Sequence, residues 1–343
     1  MNPYMAYDAV NTKIHARKRH ILNDIDWDKM LEYSTVDQIK NYLTDNSEFK
    51  NVLESVKNSD INRERLEAVL GKFKSLEMED LIHYFSGPYK DFIKVMLLES
   101  EIADLSLILR KIARQESLEG IEDRFIHSEK FTSIQFNKLI ESKNVIQFTE
   151  GLKGTPYYSE LRNLTNEDAI KREFHIEMKL HIIFYSTLIA EANNLKKDDM
   201  EIAKDIIGFK IDLMNVQWIS RARNYYKISP EEILNYSLRD GKNITYSRLK
   251  QLSYAKTDKE FNELVKSYFK RDFFGEIYDS YNNVPVCSYM INYLKKNNYK
   301  GIGSVISYYY LLSIIIVDLT TITEGITYNM SRDKLKEILA CRF

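Results

Sequence analysis

Residues 101–117, EIADLSLILRKIARQES, decide the fold, because their pattern recurs at 212–229, DLMNVQWISRARNYYKIS, and at 315–331, IIVDLTTITEGITYNMS. Each copy predicts a helix with a carboxylate or carboxamide in its middle. A serine suited to starting a helix follows 13 or 14 residues later. A long internal period indicates repeated structural units. It also argues against catalysis, because one active site rarely needs three diverged copies of a helical unit.

Each copy has two landmarks, a hydrophobic triplet and a later helical segment with a central polar residue, and a serine follows the second. The central polar residues are Asp104, Asn215 and Asp318, and the serines are Ser117, Ser229 and Ser331. A hydrophobic triplet precedes each polar residue, with spacings of nine and four residues, and its middle member lies 57 to 67 residues before the polar residue. The triplets are Met30, Ile39, Leu43; Leu139, Phe148, Leu152; and Leu252, Phe261, Val265. We therefore expect three helical repeat units, residues 1–127, 128–241 and 242–343.

Composition favours an all-α fold. The chain has only 11 Gly and 5 Pro among 343 residues, which suits long uninterrupted helices better than a turn-rich β-protein. The formal net charge of −1 provides no overall field that would attract nucleic acid or an anionic membrane. The two cysteines have no metal-type spacing and indicate a reducing compartment.

One stretch resembles a membrane span. Residues Gly301–Val317 contain no charge over 17 residues, but a spanning helix needs about 20 predominantly apolar residues. The equivalent segments before Asp104 and Asn215 carry charges. We therefore predict a buried core helix here, entered through the glycines Gly301 and Gly303.

Several local signals mark helix boundaries. Ser229 followed by Pro230 predicts a strong helix start, Ser331 a weaker one, and Ser117 the weakest because Gly120 follows. Thr257 with Glu260 forms a capping-box pattern, and residues 7–22 form an amphipathic helix pattern. Loops are expected near residues 127–130 and 241–243.

The residues offer no catalytic or cofactor site. His175 and His181 are six apart, whereas a zinc-protease helix needs them four apart. Asp198-Asp199-Met200-Glu201 begins like a magnesium-binding DDxxD helix, but position 202 is Ile, and a solvated helix start is the better interpretation. No P-loop lysine motif is present, so we expect no direct nucleotide binding and no cofactor.

The repeated segments resemble the C/AC39 family of V-type and A-type ATPase subunits, whose eukaryotic member is called the d subunit. The resemblance rests on an acid, then a polar residue three positions on, then an arginine six further: Glu101, Asp104 and Arg110 in the first copy, and Asp212, Asn215 and Arg221 in the second. The third copy departs from it, with Ile315 for the acid, Asp318 for the family's Asn, and Glu324 for Arg. The shared polar positions are interpreted as structural.

This resemblance implies a funnel-shaped subunit of three pseudo-threefold-related helical units, without an active site of its own. It implies partners as well: the D and F subunits of the central stalk, and the membrane proteolipid (c/K) ring. Such a subunit lies at the cytoplasmic face of the membrane, peripheral through protein contacts. It transmits rotation between ATP chemistry and proton or sodium transport.

Two other hypotheses are open at this point. A helical-repeat interaction scaffold unrelated to the ATPase would form an open solenoid in which each unit contacts only its neighbours. An all-α metal-dependent enzyme would require clustered acids or histidines, and the sequence offers none with the correct spacing.

Overall fold

The structure is a computed structural model that describes residues 3–19, 21–165, 173–273 and 284–341. Within these ranges every regular element is helical, so the fold is all-α as predicted. The helices of the first half are α1 Pro3–Arg19, α2 Asp24–Met30, α3 Val36–Asn46, α4 Lys50–Leu53, α5 Arg63–Ile82, α6 Pro88–Met96, α7 Leu98–Ala113, α8 Phe136–Leu139, α9 Val145–Gly151 and α10 Tyr158–Leu161. The helices of the second half are α11 Glu173–Ala192, α12 Lys197–Asn224, α13 Pro230–Tyr236, α14 Tyr246–Ser253, α15 Asp258–Phe269, α16 Val284–Asn297, α17 Ile302–Thr327 and α18 Arg332–Glu337. Short 3₁₀ helices cover Asn58–Asp60 and Ile121–Arg124.

The chain divides into two compact units, one of residues 1–74 with 195–343 and the other of residues 75–194. In the 75–194 unit, α11 packs along α6 and α7, while α9 packs on α7, α8 and α10. In the other unit, α17 is the central element and packs against α1, α3, α12 and α16. The division of the chain into three helical repeat units, residues 1–127, 128–241 and 242–343, stays a prediction.

The hydrophobic triplets lie in the core. All nine side chains are at most 1% exposed. A spacing of four residues places two side chains on one face of a helix, which explains the constant interval between the last two members of each triplet.

Helix α17 contains the uncharged stretch. It is the one helix, among the described residues, that is long and apolar enough to cross a membrane, and most of it is buried inside the protein. The run Tyr308–Tyr310 is buried, and Lys74 Nζ lies 4.6 Å from the centre of the Tyr309 ring. The prediction of a buried core helix is confirmed.

Glycines form the start of α17. Gly301 precedes the helix with φ of +59°, a conformation that side chains with a Cβ rarely adopt. A Cβ on Gly303 would lie 2.6 Å from Ile202 Cγ2, so this position needs the absence of a side chain. The predicted role of both glycines is confirmed.

Two of the three serine caps form as the sequence predicts. Ser229 Oγ accepts the Glu232 N–H, and Ser331 Oγ accepts the Lys334 N–H, at the starts of α13 and α18. A helix start at Ser117 is wrong. There Ser117 Oγ accepts only the Glu119 N–H. Gly120 adopts a left-handed conformation with φ of +69°, so no α-helix continues from Ser117, and the 3₁₀ helix Ile121–Arg124 follows.

Two other boundary predictions need correction. The capping pattern at Thr257 is half formed: its side chain accepts the Glu260 N–H, but the Glu260 carboxylate accepts from Lys256 N rather than from Thr257 N. The helix expected over residues 7–22 is Pro3–Arg19, so Leu22 lies beyond its end. The predicted loops at 127–130 and 241–243 are present.

Candidate functional site

Each of the three repeated segments contains a polar side chain buried within a long helix. These anchor residues, as we call them, are Asp104 on α7, Asn215 on α12 and Asp318 on α17, and none is more than 2% exposed. A buried polar side chain needs hydrogen-bond partners, because its desolvation otherwise costs free energy. The anchor residues find them in the chain that follows their own helix.

In the first copy, Asp104 holds a returning stretch of backbone. Its Oδ2 accepts the N–H of Ile126 at 3.0 Å and the N–H of His127 at 2.8 Å. The Nδ1 atom of His127 also hydrogen-bonds to Asp104 Oδ2 at 2.8 Å, and the imidazole stacks on Phe136 with ring centres 3.8 Å apart. One carboxylate thus fixes both the backbone and the side chain where the first unit is predicted to end.

The second copy uses a carboxamide. Asn215 Nδ2 donates to the carbonyl oxygen of Leu238 at 2.9 Å, and the Leu238 N–H donates to Asn215 Oδ1 at 2.9 Å. This single side chain satisfies both backbone groups of one buried residue.

The third copy again uses a carboxylate. Asp318 accepts the N–H of Ala340 at 3.1 Å and the N–H of Cys341 at 2.6 Å. The first amide bonded in each copy lies nine residues after the copy's serine, at Ile126, Leu238 and Ala340. The local hydrogen bonding therefore recurs in register with the sequence pattern.

A carboxylate cannot donate, so the carbonyl of the returning residue needs another partner where the anchor is Asp. Ser75 on α5 donates to the Ile126 carbonyl oxygen at 2.6 Å. Ser288 on α16 lies 3.5 Å from the carbonyl oxygen of Ala340. Serines on the preceding long helix thus complement the two aspartates, and the second copy contains Asn instead.

A second acid lies three residues before the anchor in the first two copies. Glu101 hydrogen-bonds to Tyr157 Oη at 3.1 Å and to the side chain of Thr132. Asp212 accepts the N–H groups of Asn243 at 2.5 Å and Ile244 at 3.0 Å. Because Thr132 and Ile244 each lie six residues after the first anchored residue, the two acids hold equivalent points of the chain.

In the third copy this position is Ile315, which is buried. The departure from the pattern therefore replaces a hydrogen-bonding carboxylate with an apolar side chain.

The charged residue six positions after the anchor makes ion pairs in the first and third copies. Arg110 and Arg114 both bind Glu173, the first residue of α11, with an Arg114 N–O distance of 2.9 Å. Glu324, the reversed charge of the third copy, binds Arg63, the first residue of α5, at 2.6 Å. In the third copy the acid therefore lies on the long helix and the arginine on the partner helix, which is the reverse of the first copy.

Arg221 is the corresponding residue of the second copy. It lies half-buried near the end of α12.

The end of each long helix also repeats. Gln115, Lys227 and Asn329 adopt positive φ values of 57°, 48° and 51°, each two residues before the serine of its copy. In the first and third copies a backbone N–H then reaches five residues back, Glu116 to Lys111 at 2.9 Å and Met330 to Gly325 at 2.8 Å. This is the hydrogen-bond pattern of a Schellman helix end, which reverses the chain sharply.

Comparison with known proteins decides the family. The family model described as ATP synthase (C/AC39) subunit matches residues 10–338. The chain belongs to this family. Among similar curated proteins, the C subunit of the A-type ATP synthase of Methanosarcina acetivorans is 22% identical over 263 residues, covering 77% of this chain and 71% of the relative. That of Archaeoglobus fulgidus is 24% identical over 269 residues, covering 78% and 75%.

C/AC39 subunits are non-catalytic subunits of rotary ATPases, so this subunit is part of an ATPase complex and peripheral in a membrane-associated assembly. This membership excludes the unrelated scaffold and the metal-dependent enzyme. In the part of the chain that the structure describes, no three His, Cys, Asp or Glu side chains are grouped to hold a metal ion. His175 and His181 lie along α11 without forming such a group.

Burial dominates the electrostatics of the buried acids at the repeat positions of this C/AC39 subunit. It raises the pKa values of Glu101, Asp104 and Asp318 above those of ordinary carboxyl groups, and that of Asp212 to about 6. The N–H and O–H groups that donate to these side chains oppose the shift, because they stabilise the ionised form.

Sequence reasoning found the anchor residues of this C/AC39 subunit but missed their helpers. Ser75, Ser288 and His127 carry no distinctive local pattern, since buried serines are common in helices. One signal could have indicated the two serines. An aspartate anchor residue has no donor, so the carbonyl group beside it needs a donor from the preceding long helix.

Proposed function

We propose that this subunit is the adaptor of the rotor, linking the D and F subunits of the central stalk to the membrane proteolipid ring. It transmits rotation between ATP chemistry and proton or sodium transport, and it acts at the cytoplasmic face of the membrane. The observation that carries the proposal is the family match over residues 10–338.

The geometry supports this role at the chain reversals that follow the three repeated helices, which we call joints. A part that transmits torque must resist bending, and chain reversals between helices are the natural places to bend. Here each reversal is held by a buried side chain bonded to backbone 22 or 23 residues later. We infer that five buried polar residues stabilise these joints by hydrogen bonds: Glu101, Asp104, Asp212, Asn215 and Asp318.

Arg110 and Arg221 complete the set of repeat positions. In our proposal they stabilise the same joints through charge rather than through backbone hydrogen bonds. Arg110 forms an ion pair with Glu173, the first residue of α11.

Two exposed aromatic residues are candidate contacts for the central stalk. Tyr226 and Tyr328 each precede the positive-φ residue at the end of a long helix, and they are 54% and 71% exposed. Tyrosine is enriched in protein interfaces because it adds a large contact area and a hydroxyl. We propose that these side chains contact the foot of the stalk.

The test is affinity purification of the tagged subunit from detergent-solubilised membranes, with and without the D and F subunits. We expect the ATPase, including its proteolipid ring, to co-purify. We also expect the Tyr226→Ser/Tyr328→Ser variant to retain the ring but lose most of D and F. Tyr246→Ser, which alters a tyrosine that is 55% exposed elsewhere, is the matched control.

Recovery of the tagged protein without any ATPase component would reject the adaptor role. Equal recovery of D and F by both tyrosine variants would reject only the proposed contact. Protease protection of the tag in sealed vesicles of known orientation tests the cytoplasmic location separately.

A further inference from the structure

A cavity of about 340 Å³ opens between α1, α16 and α17. Its floor is apolar and is formed by Leu22, Leu294, Leu311 and Ile315. Ligand-binding cavities are typically apolar, with a few polar groups that fix orientation. All of these residues belong to the unit of residues 1–74 and 195–343.

The rim of the cavity is basic. His15, Lys18 and Lys295 line it, and no Asp or Glu is among its lining residues in the described part of the chain. Lys18 is half-buried, and burial lowers the pKa of its ammonium group. An anion placed here would offset the cost of desolvating that charge.

A polar group inside the cavity points to a ligand independently. Ser307 is 3% exposed and lines the cavity, and its hydroxyl has no hydrogen-bond partner among the residues that the structure describes. Serine in a helix commonly bonds to the backbone of the preceding turn. A buried hydroxyl left without a partner costs free energy, which a polar ligand atom would recover.

We propose that this cavity binds a single-chain amphiphile with an anionic head group. The alkyl chain occupies the apolar floor, and the head group lies between Lys18 and Lys295, within reach of Ser307. A cavity of roughly 150 Å³ holds benzene, so this volume suits a chain of about a dozen carbons. No anchor residue lines the cavity, although Cys341, which Asp318 holds, does. The proposal does not depend on the proposed rotor role.

Titration calorimetry of the purified full-length chain with sodium dodecanoate, below its micelle concentration, tests the proposal. We expect one molecule bound per chain. Decanoate should bind about 15-fold more weakly, because two fewer methylenes are buried. Dodecyltrimethylammonium, which has the same tail and the opposite charge, should bind at least about tenfold more weakly. Dodecyl phosphate separates the head-group classes: whichever of phosphate and carboxylate binds more tightly identifies the class, and either supports an anionic site.

Two variants localise the site. Lys18→Met should weaken dodecanoate binding about tenfold through loss of a charge-assisted hydrogen bond. Leu311→Trp should abolish binding by filling the floor, and thermal melts verify that both variants are folded. Lys259→Met, the same change on the exposed face of α15, should leave binding unchanged.

Equal affinities for dodecanoate and dodecyltrimethylammonium would overturn the proposal. So would equal effects of Lys18→Met and Lys259→Met, or the binding of many dodecanoate molecules per chain.

Discussion

Asn215 and Leu238 form a closed pair in which one carboxamide bonds both backbone groups of one residue, each at 2.9 Å. Asp104 and Asp318 hold equivalent chain segments but can only accept, and serines on other helices supply the missing donors. The choice between Asn and Asp in each copy is thus linked to a second residue. Exchanging one without the other leaves a buried group unsatisfied.

Asn215→Asp should therefore destabilise the protein. The variant loses the donor to the Leu238 carbonyl oxygen and introduces a charge at a position with no exposure. We expect a loss of about 2 kcal/mol in the free energy of unfolding, the scale for an unsatisfied buried group. Urea unfolding followed by circular dichroism measures it.

The matched control is Asn193→Asp, which makes the same change at an exposed position. Its urea midpoint should equal that of the wild type. If Asn215→Asp were as stable as this control, the second hydrogen bond of Asn215 would have no energetic role.

Glycine at the positive-φ positions should stabilise the helix ends. Left-handed backbone costs a non-glycine residue roughly 1–2 kcal/mol, partly offset by the greater freedom of glycine in the unfolded chain. We expect Lys227→Gly to raise stability by about 0.5–1 kcal/mol. Asn329→Gly should gain less, because Asn tolerates this conformation better. Thermal denaturation compares them.

Lys227→Ala is the control, since alanine removes the side chain but retains the backbone strain. A gain from alanine equal to that from glycine would show that the lysine side chain, rather than φ of +48°, is the unfavourable element.

The reversed charge of the third copy should depend on its partner. Glu324→Arg places two cations together at Arg63 and should cost up to about 1 kcal/mol, because the pair is partly exposed and screened by solvent. Adding Arg63→Glu should restore most of the loss. A double-mutant cycle in low salt measures the coupling, and additive effects of the two changes would show that the ion pair is not stabilising.

The sequence predicted the parts of the fold that local patterns control. The burial of the triplets follows from helical spacing. The helix starts at Ser229 and Ser331 could be predicted because the first N–H groups of a helix need acceptors, which a serine side chain supplies. At Ser117 the local cap signal was outweighed by Gly120. The sequence also marked the anchor residues, because a polar residue within an apolar helical stretch is conspicuous.

Partners in three dimensions could not be predicted in this way. Asp104 bonds to backbone 22 residues later, and Glu324 pairs with a residue 261 positions earlier. Such separations are set by how the helices pack, which a periodicity does not encode. The reversed charge at Glu324 is explained by its neighbour Arg63, which no local sequence pattern indicates.

Asp212 should make stability depend on pH. Burial raises the pKa of its carboxyl group to about 6, above the value of about 3.9 expected in the unfolded chain. The folded protein therefore holds this proton more tightly, so the stabilisation is complete below pH 4 and is lost as pH rises through 6. The contribution is on the order of 3 kcal/mol. Glu101, Asp104 and Asp318 shift in the same direction.

The variant Asp212→Asn isolates this residue, because it cannot ionise. It loses one acceptor for the N–H groups of Asn243 and Ile244, so it should be less stable than the wild type at pH 4.5. Between pH 4.5 and 7 its stability should fall less steeply than that of the wild type, and the two curves should converge. Parallel curves over this range would mean that Asp212 keeps an ordinary pKa, with its two backbone donors outweighing burial.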